Sequence, residues 1–246
     1  MTDYEQQANK DLKAWQRNML RSPSAANRLA KAMQDKVNSW IPEKVHKTLT
    51  TTIKQMIRAV LFGSEHTTTK PIGQDRLSLE IQEARIEERI EFYKKTAAAE
   101  GGITGAGGFL MGVADFPLLL GLKLKMLFDI TALYGFPVDD YKERLYLLHI
   151  FQLAFSSAKE RKKVYLKMVD WDAKTDQLPK DINEFDWRTF QQEYRDYIDI
   201  AKMVQLIPVI GAPVGAIVNY RLLDKLGKTA MYAYRMRWLA MRATKN

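Results

Sequence analysis

Six of the chain's 13 glycines fall within twelve consecutive positions of the stretch Ala97–Leu122, AAAEGGITGAGGFLMGVADFPLLLGL. Wound at about 100° per residue, Gly101, Gly105, Gly108 and Gly112 lie inside an arc of about 60°, with Ala97, Ala98 and Asp115 at its edges. Each glycine costs a helix interior roughly 1 kcal/mol against alanine. A glycine face therefore persists where another backbone, a ligand or a lipid comes very close. The stretch predicts a close-contact surface, and it names no reaction.

Asp115-Phe116-Pro117 supplies a capping carboxylate followed by proline in a first turn, the start of a new helix. That helix carries Leu118, Leu119, Leu120, Leu122, Leu124, Leu127, Phe128 and Ile130, and stops at Gly135 with Pro137 just beyond. A second small-residue segment answers the first. Between Lys202 and Arg221 lie 18 uncharged residues, MVQLIPVIGAPVGAIVNY, with Gly211, Gly215 and Asn219 at helical spacing. Pro208 and Pro213 predict a helix broken at Gly211. The two glycine stripes are expected to pack on one another.

The glycine block, the continuation DITALYGFPVDDYKERLYLLHIFQLA and the later LIPVIGAPVGAIVNY, in that order, resemble the EcsC family of bacterial proteins. The resemblance covers roughly Ile86 to Arg237. It implies a helical protein and a link to ABC transport, and it implies no particular activity.

Apolar spacing of three and four recurs almost everywhere, and 46% of the 246 residues are hydrophobic, enough for a substantial core. The expected fold is all-α: a multi-helix bundle with Gly-rich close-packed helices. Residues 1–75 read as an amphipathic helical extension, and residues 76–246 as the EcsC-like domain. The polar stretch GSEHTTTKPIGQ separates the two. A charged helix is expected over Leu77–Thr96, another from Asp139/Asp140 to about Ala158, and a polar connection over Trp171–Asp186.

The chain has no cysteine, which removes disulfides and thiolate chemistry together. The N-terminal residues show no basic region followed by an apolar run, so no signal peptide is read and the chain is placed in the cytoplasm. Nucleophile, zinc and dinucleotide motifs are missing, and Gly227-Lys228-Thr229 is no P-loop because Leu222 stands at the first glycine position. His46, His66 and His149 lack carboxylates at ligand spacing, so no metal and no cofactor is expected.

The net charge of +9 is uneven: residues 1–62 hold 11 Lys/Arg against 5 Asp/Glu, and residues 219–246 hold 7 against 1. Basic helical ends suit anionic lipid or nucleic-acid phosphates. Without a nucleic-acid motif, the lipid surface is the expected partner. In Tyr220–Arg242 the mixture of Tyr232, Tyr234 and Trp238 with Arg235, Arg237 and Arg242 reads as a membrane- or partner-binding helix.

The ligand or close-contact candidates are Gly101, Gly105, Gly108, Gly112, Asp115, His149, Gly211, Gly215 and Asn219. Each also has a structural reading. Asp115 can cap a helix, His149 can be a hydrogen-bonded core histidine, and Asn219 can bond opened backbone near Pro213 or Asp115. The expected function is a non-enzymatic accessory at the inner face of the membrane, bound to anionic lipid or a membrane protein. The alternative is an enzyme acting on an apolar substrate in a pocket that gathers Asp115, His149 and Asn219. The oligomeric state stays open.

Overall fold

Thr2 opens the first helix. Its hydroxyl accepts from the Glu5 N–H while the Glu5 carboxylate accepts from the Thr2 N–H, a reciprocal cap that fixes α1 at Asp3–Leu20. The structure, a computed structural model, describes residues 1–22, 51, 55, 77–106, 116–177 and 211–245. Ser78 starts α2, Leu79–Ala106, and the helix runs through Gly101, Gly102 and Gly105 without a break.

Helix α3 spans Phe116–Leu133 with Pro117 in its first turn, as expected. It closes in a Schellman motif: Gly135 takes φ 83°, the Phe136 N–H donates to the Thr131 carbonyl and the Gly135 N–H to that of Ala132. Asp140 caps α4, Tyr141–Phe155. That helix ends three residues short of Ala158, because Ser157 caps a separate helix, α5, Ala158–Met168. Trp171–Gln177, the described part of the polar connection expected over Trp171–Asp186, is a 3-10 helix that buries Trp171.

The last helix, α6, is Gly211–Lys245. Pro213 does not interrupt it. The proline lies in the first turn, where its missing N–H would have had no partner inside the helix. Pro208 lies outside the described residues, as do Gly108, Gly112 and Asp115, and nothing beyond backbone is described for Gly105 and Gly211. Every described element is helical, so the all-α expectation holds among the described residues.

The register between helices can be read from side-chain contacts. Along α2 and α6, Gly101 meets Gly215, Ala97 meets Asn219, Lys94 meets Asp224, Ile90 meets Gly227 and Glu83 meets Arg235. The two helices are therefore antiparallel. Helix α3 is antiparallel to α2, with Tyr93 on Asp129 and Glu83 on Tyr134, and parallel to α6, with Thr131 on Tyr234. Helix α4 is antiparallel to α6, with Glu143 on Arg237 and Tyr146 on the Ala233 carbonyl.

Helix α1 shares this core. Ala8 and Met19 belong to the cluster of buried apolar residues, and the Trp15 ring stacks on Tyr232 at 5.3 Å and meets Tyr165 edge-on at 5.7 Å. The first twenty residues of the extension read over 1–75 thus form a helix packed into the bundle. Residues 23–50, 52–54 and 56–76 lie outside the described residues.

Gly101 allows the closest approach in the structure's central helix pair. A Cβ there would stand 2.5 Å from Asn219 Nδ2 and 2.6 Å from the Gly215 carbonyl oxygen. The Asn219 amide donates to the Ala97 carbonyl at 3.1 Å, rather than to backbone near Pro213 or to Asp115. Replacing Gly101 by alanine should thus destabilise the fold by roughly 1–3 kcal/mol, despite alanine's higher helix propensity. The same change at Gly227 meets only the Ile90 side chain, at 2.7–2.9 Å, and should cost less because a side chain yields more easily than backbone. Urea denaturation of the two variants checks the order.

Candidate functional site

Two arginines expected on a lipid-facing surface lie inside the bundle. Helical phase puts Arg235 and Arg237 among Leu226, Ala230, Ala233 and Tyr234, and both are almost fully buried, as is Trp238. Arg235 donates from Nε and Nη2 to the two oxygens of Glu83, 2.7 Å each, and from Nη1 to the Ala8 carbonyl. Tyr4 and Tyr134 add hydroxyl donors to the same carboxylate at 2.7 Å.

Arg237 forks onto Glu143 at 2.6 and 2.7 Å and onto Asp172, its guanidinium 4.0 Å from the Phe136 ring centre and 4.6 Å from that of Tyr146. Burial opposes the Arg237 charge, but the hydrogen bonds to Glu143 and Asp172 outweigh it and raise its pKa. The membrane-binding reading of Arg235, Arg237 and Trp238 is therefore corrected. Inward phase and matched carboxylates make them core residues. Arg242 is 56% exposed, yet it too is engaged, with Glu5 at 2.8 Å and over the Trp238 ring.

His149 is a core histidine. Its ring is buried, Nδ1 lies 2.8 Å from the Leu145 carbonyl, and the Trp171 ring centre is 5.3 Å away. Burial, opposed by the Leu145 bond, lowers its pKa to about 4. The α4–α6 register sets His149 beside residue 231, roughly 18 Å along the axis from Asn219 at 1.5 Å per residue. The two candidates of a shared pocket are not brought together, and Asp115 lies outside the described residues. No group of three His, Asp or Glu among the described residues is placed to hold a metal ion.

The neutral fold and the protonated unfolded chain make this histidine a source of acid sensitivity. The unfolded imidazole takes a proton near pH 6.5, the folded one only near 4, so stability is full above 6.5 and falls as pH drops between those values. A loss of about 2 kcal/mol is expected between pH 7 and 5. His149→Gln should flatten that slope in urea midpoints measured across the range.

The described surface has its most apolar feature at the opposite end from α1. The register places Ile103, near the end of α2, opposite Leu118, in the first turn of α3, with Ile217, in the second turn of α6, roughly 6 Å or less from either along the axis. These three are 72%, 60% and 51% exposed. Pro117, Gly121 and Pro213 are exposed beside them. No charged residue occurs from Gly101 to Ala114, from Phe116 to Leu122 or from Met203 to Tyr220. Among the described residues, the ends of three helices with no charged residue over 101–106, 116–122 and 211–220 thus converge on one tip.

Helix α4 stops short of it. Phe155 falls level with residue 225 of α6, so the tip extends roughly 12 Å beyond, among the described residues. Behind the tip stand the exposed cations Lys95, Lys125, Arg221 and Lys228, roughly 6–16 Å back along their helices. No described helix is long and apolar enough to cross a membrane.

Two features escaped the sequence reading, the buried face of α2 and the ion pair on it. The helix Leu77–Thr96 was expected as a charged helix, and its Leu79, Glu83, Ile86, Ile90, Tyr93 and Ala97 share one inward phase. A carboxylate standing in an apolar phase is the signal that could have found the Glu83–Arg235 pair.

Fold and site together define a class: an all-α bundle cross-linked by buried ion pairs, with an uncharged tip and cations behind it. The family model described as the EcsC protein family matches residues 6–239, beginning inside α1. Protein EcsC of Bacillus subtilis (strain 168) is 45% identical over 225 residues, 92% of each chain. The uncharacterized protein YdbA of the same organism is 33% identical over 143 residues, 57% of this chain and 52% of its own length. No solved structure matches. This chain belongs to the EcsC family.

Proposed function

We propose that this protein is a non-enzymatic accessory held at the inner face of the membrane, and that it docks by its uncharged tip rather than by its basic C-terminal helix. The observation that carries the reading is the convergence of exposed Ile103, Leu118 and Ile217 at one end of three helices, where Glu100 and Asp115 are the nearest acidic residues in the sequence. An apolar helix face at an interface sinks about 5–10 Å into the headgroup boundary. That depth covers the three side chains and brings Arg221, Lys125 and Lys95 to the level of anionic headgroups.

Each cation at such a surface contributes about 1 kcal/mol, and their long stems can lie along apolar surface while the charges stay in water. The ABC-transport link implied by the family resemblance fits a protein working at that surface. Flotation with anionic and neutral vesicles tests the reading. Wild-type protein should float with anionic vesicles, lose part of that binding as salt rises, and lose nearly all of it when Ile103, Leu118 and Ile217 are replaced by aspartate.

A further inference from the structure

Helix α2 turns large apolar side chains outward along its length. Ile81, Phe92 and Ile103 are 47%, 54% and 72% exposed. Successive members are three helical turns apart, so at about 100° per residue all three fall inside an arc of about 40°, spread along about 33 Å. The exposed Ala84, Arg85, Glu88, Lys95 and Ala99 lie between them on the same outward side. The Phe92 ring meets Tyr93 edge-on at 5.3 Å and has the Arg89 guanidinium 5.7 Å from its centre, with about half of its surface left open.

Reversed about Phe92, this face matches itself. Ile81 falls on Ile103, Arg85 on Ala99, and Glu88 within one residue of Lys95. Glu88 and Lys95 also stand on the same flank of the stripe, about 40° and 60° round from Phe92. In an antiparallel two-fold pair, each flank meets its own copy running backwards. Glu88 of one copy then faces the partner's Lys95, and its Lys95 faces the partner's Glu88. A parallel pair would set Glu88 on Glu88 and Lys95 on Lys95.

Self-complementarity is what a two-fold interface requires, and opposite charges fix orientation and partner choice more than they add affinity. We propose that α2 pairs with α2 of a second copy of this chain, antiparallel, about a two-fold axis at Phe92. Ala84 and Ala99 leave room for the backbones to reach the roughly 8–10 Å of packed helices. One helix-to-helix contact is a small interface, so the pair is reversible.

The pair has a consequence for the tip. It covers Ile103 with the partner's Ile81 and sends the two tips to opposite ends, so one flat bilayer cannot take both. Pairing therefore competes with docking. That competition rests on the membrane reading; the pairing does not.

The test uses the full chain in sedimentation velocity from low to high micromolar concentration, with wild type beside Glu88→Lys, Lys95→Glu, the double exchange and Phe92→Asp. Wild type should shift from monomer to dimer. Each single charge reversal should weaken the association at least about tenfold, the double exchange should restore it, and Phe92→Asp should abolish it. These positions are exposed, so helical circular dichroism should match wild type throughout. Phe92→Cys should oxidise to a disulfide-linked dimer, whereas Ile81→Cys should not, because the two copies of residue 81 stand about 33 Å apart.

The reduced Phe92→Cys chain should float with anionic vesicles, and its disulfide-linked dimer should not. Wild type that stays monomeric, association unmoved by the charge reversals, or Ile81→Cys that cross-links as readily as Phe92→Cys would overturn the pairing, whatever the vesicles show. If the pairing holds and the reduced chain fails to float, the pairing stands and the membrane reading fails. If the linked dimer floats as well as the reduced chain, the competition is wrong.

Discussion

Arg237→Ala should lower the stability of this protein by about 3–5 kcal/mol, the cost of removing one partner from a buried ion pair. The loss follows from what remains. Glu143 is 5% exposed and its pKa is already raised by burial, so it would be left buried with no guanidinium to accept from, while Phe136 and Tyr146 would lose the cation between them. Against a total stability of about 5–15 kcal/mol, that is a large fraction.

Arg237→Lys should rescue only part of it, because one ammonium cannot reproduce a fork shared between Glu143 and Asp172. Combining Arg237→Met with Glu143→Leu should recover much more, since replacing both members with apolar groups leaves no charge stranded. Urea denaturation followed by helical circular dichroism checks the series. A loss below about 1 kcal/mol for Arg237→Ala would be the size expected of an exposed pair and would contradict the buried geometry.

The second large effect is on membrane retention. Fully burying an Ile or Leu side chain contributes about 1.5–3 kcal/mol. Ile103→Asp, Leu118→Asp and Ile217→Asp together remove three such contributions and add three charges repelled by anionic lipid. At 1.4 kcal/mol per factor of ten, binding to anionic vesicles should fall at least about 100-fold. The fold should tolerate the change, because these side chains are more than half exposed and surface substitutions usually stay within about 0.5 kcal/mol each. Neutralising Arg235 and Arg237 is no equivalent test: it would unfold the protein rather than free it from the surface.

Much of the fold was legible because local chemistry and the final structure agree. Pro117, Gly135 and Asp140 punctuate the helices where the sequence predicts, and the small residues Gly101 and Gly215 face one another across α2 and α6. The misplaced arginines share one physical origin. Arg235 and Arg237 were read as surface residues, whereas helical phase carries them inward onto Glu83 and Glu143, where long-range pairing makes burial tolerable. Sequence separations of 152 and 94 residues hide such partners from any local pattern. The tip was half legible: the uncharged segments are visible in the sequence, but their convergence needed the register of α2, α3 and α6.

Insertion of the tip is best measured residue by residue. The chain has no cysteine, so Ile103→Cys, Leu118→Cys, Ile217→Cys and, at the opposite end, Lys13→Cys can each carry a single environment-sensitive fluorophore. On adding anionic vesicles, the three tip positions should brighten and shift to the blue as they leave water, while the label on α1 at position 13 stays unchanged. Unchanged emission at all three tip positions from protein that floats with the vesicles, or an equal response at position 13, would contradict docking by the tip.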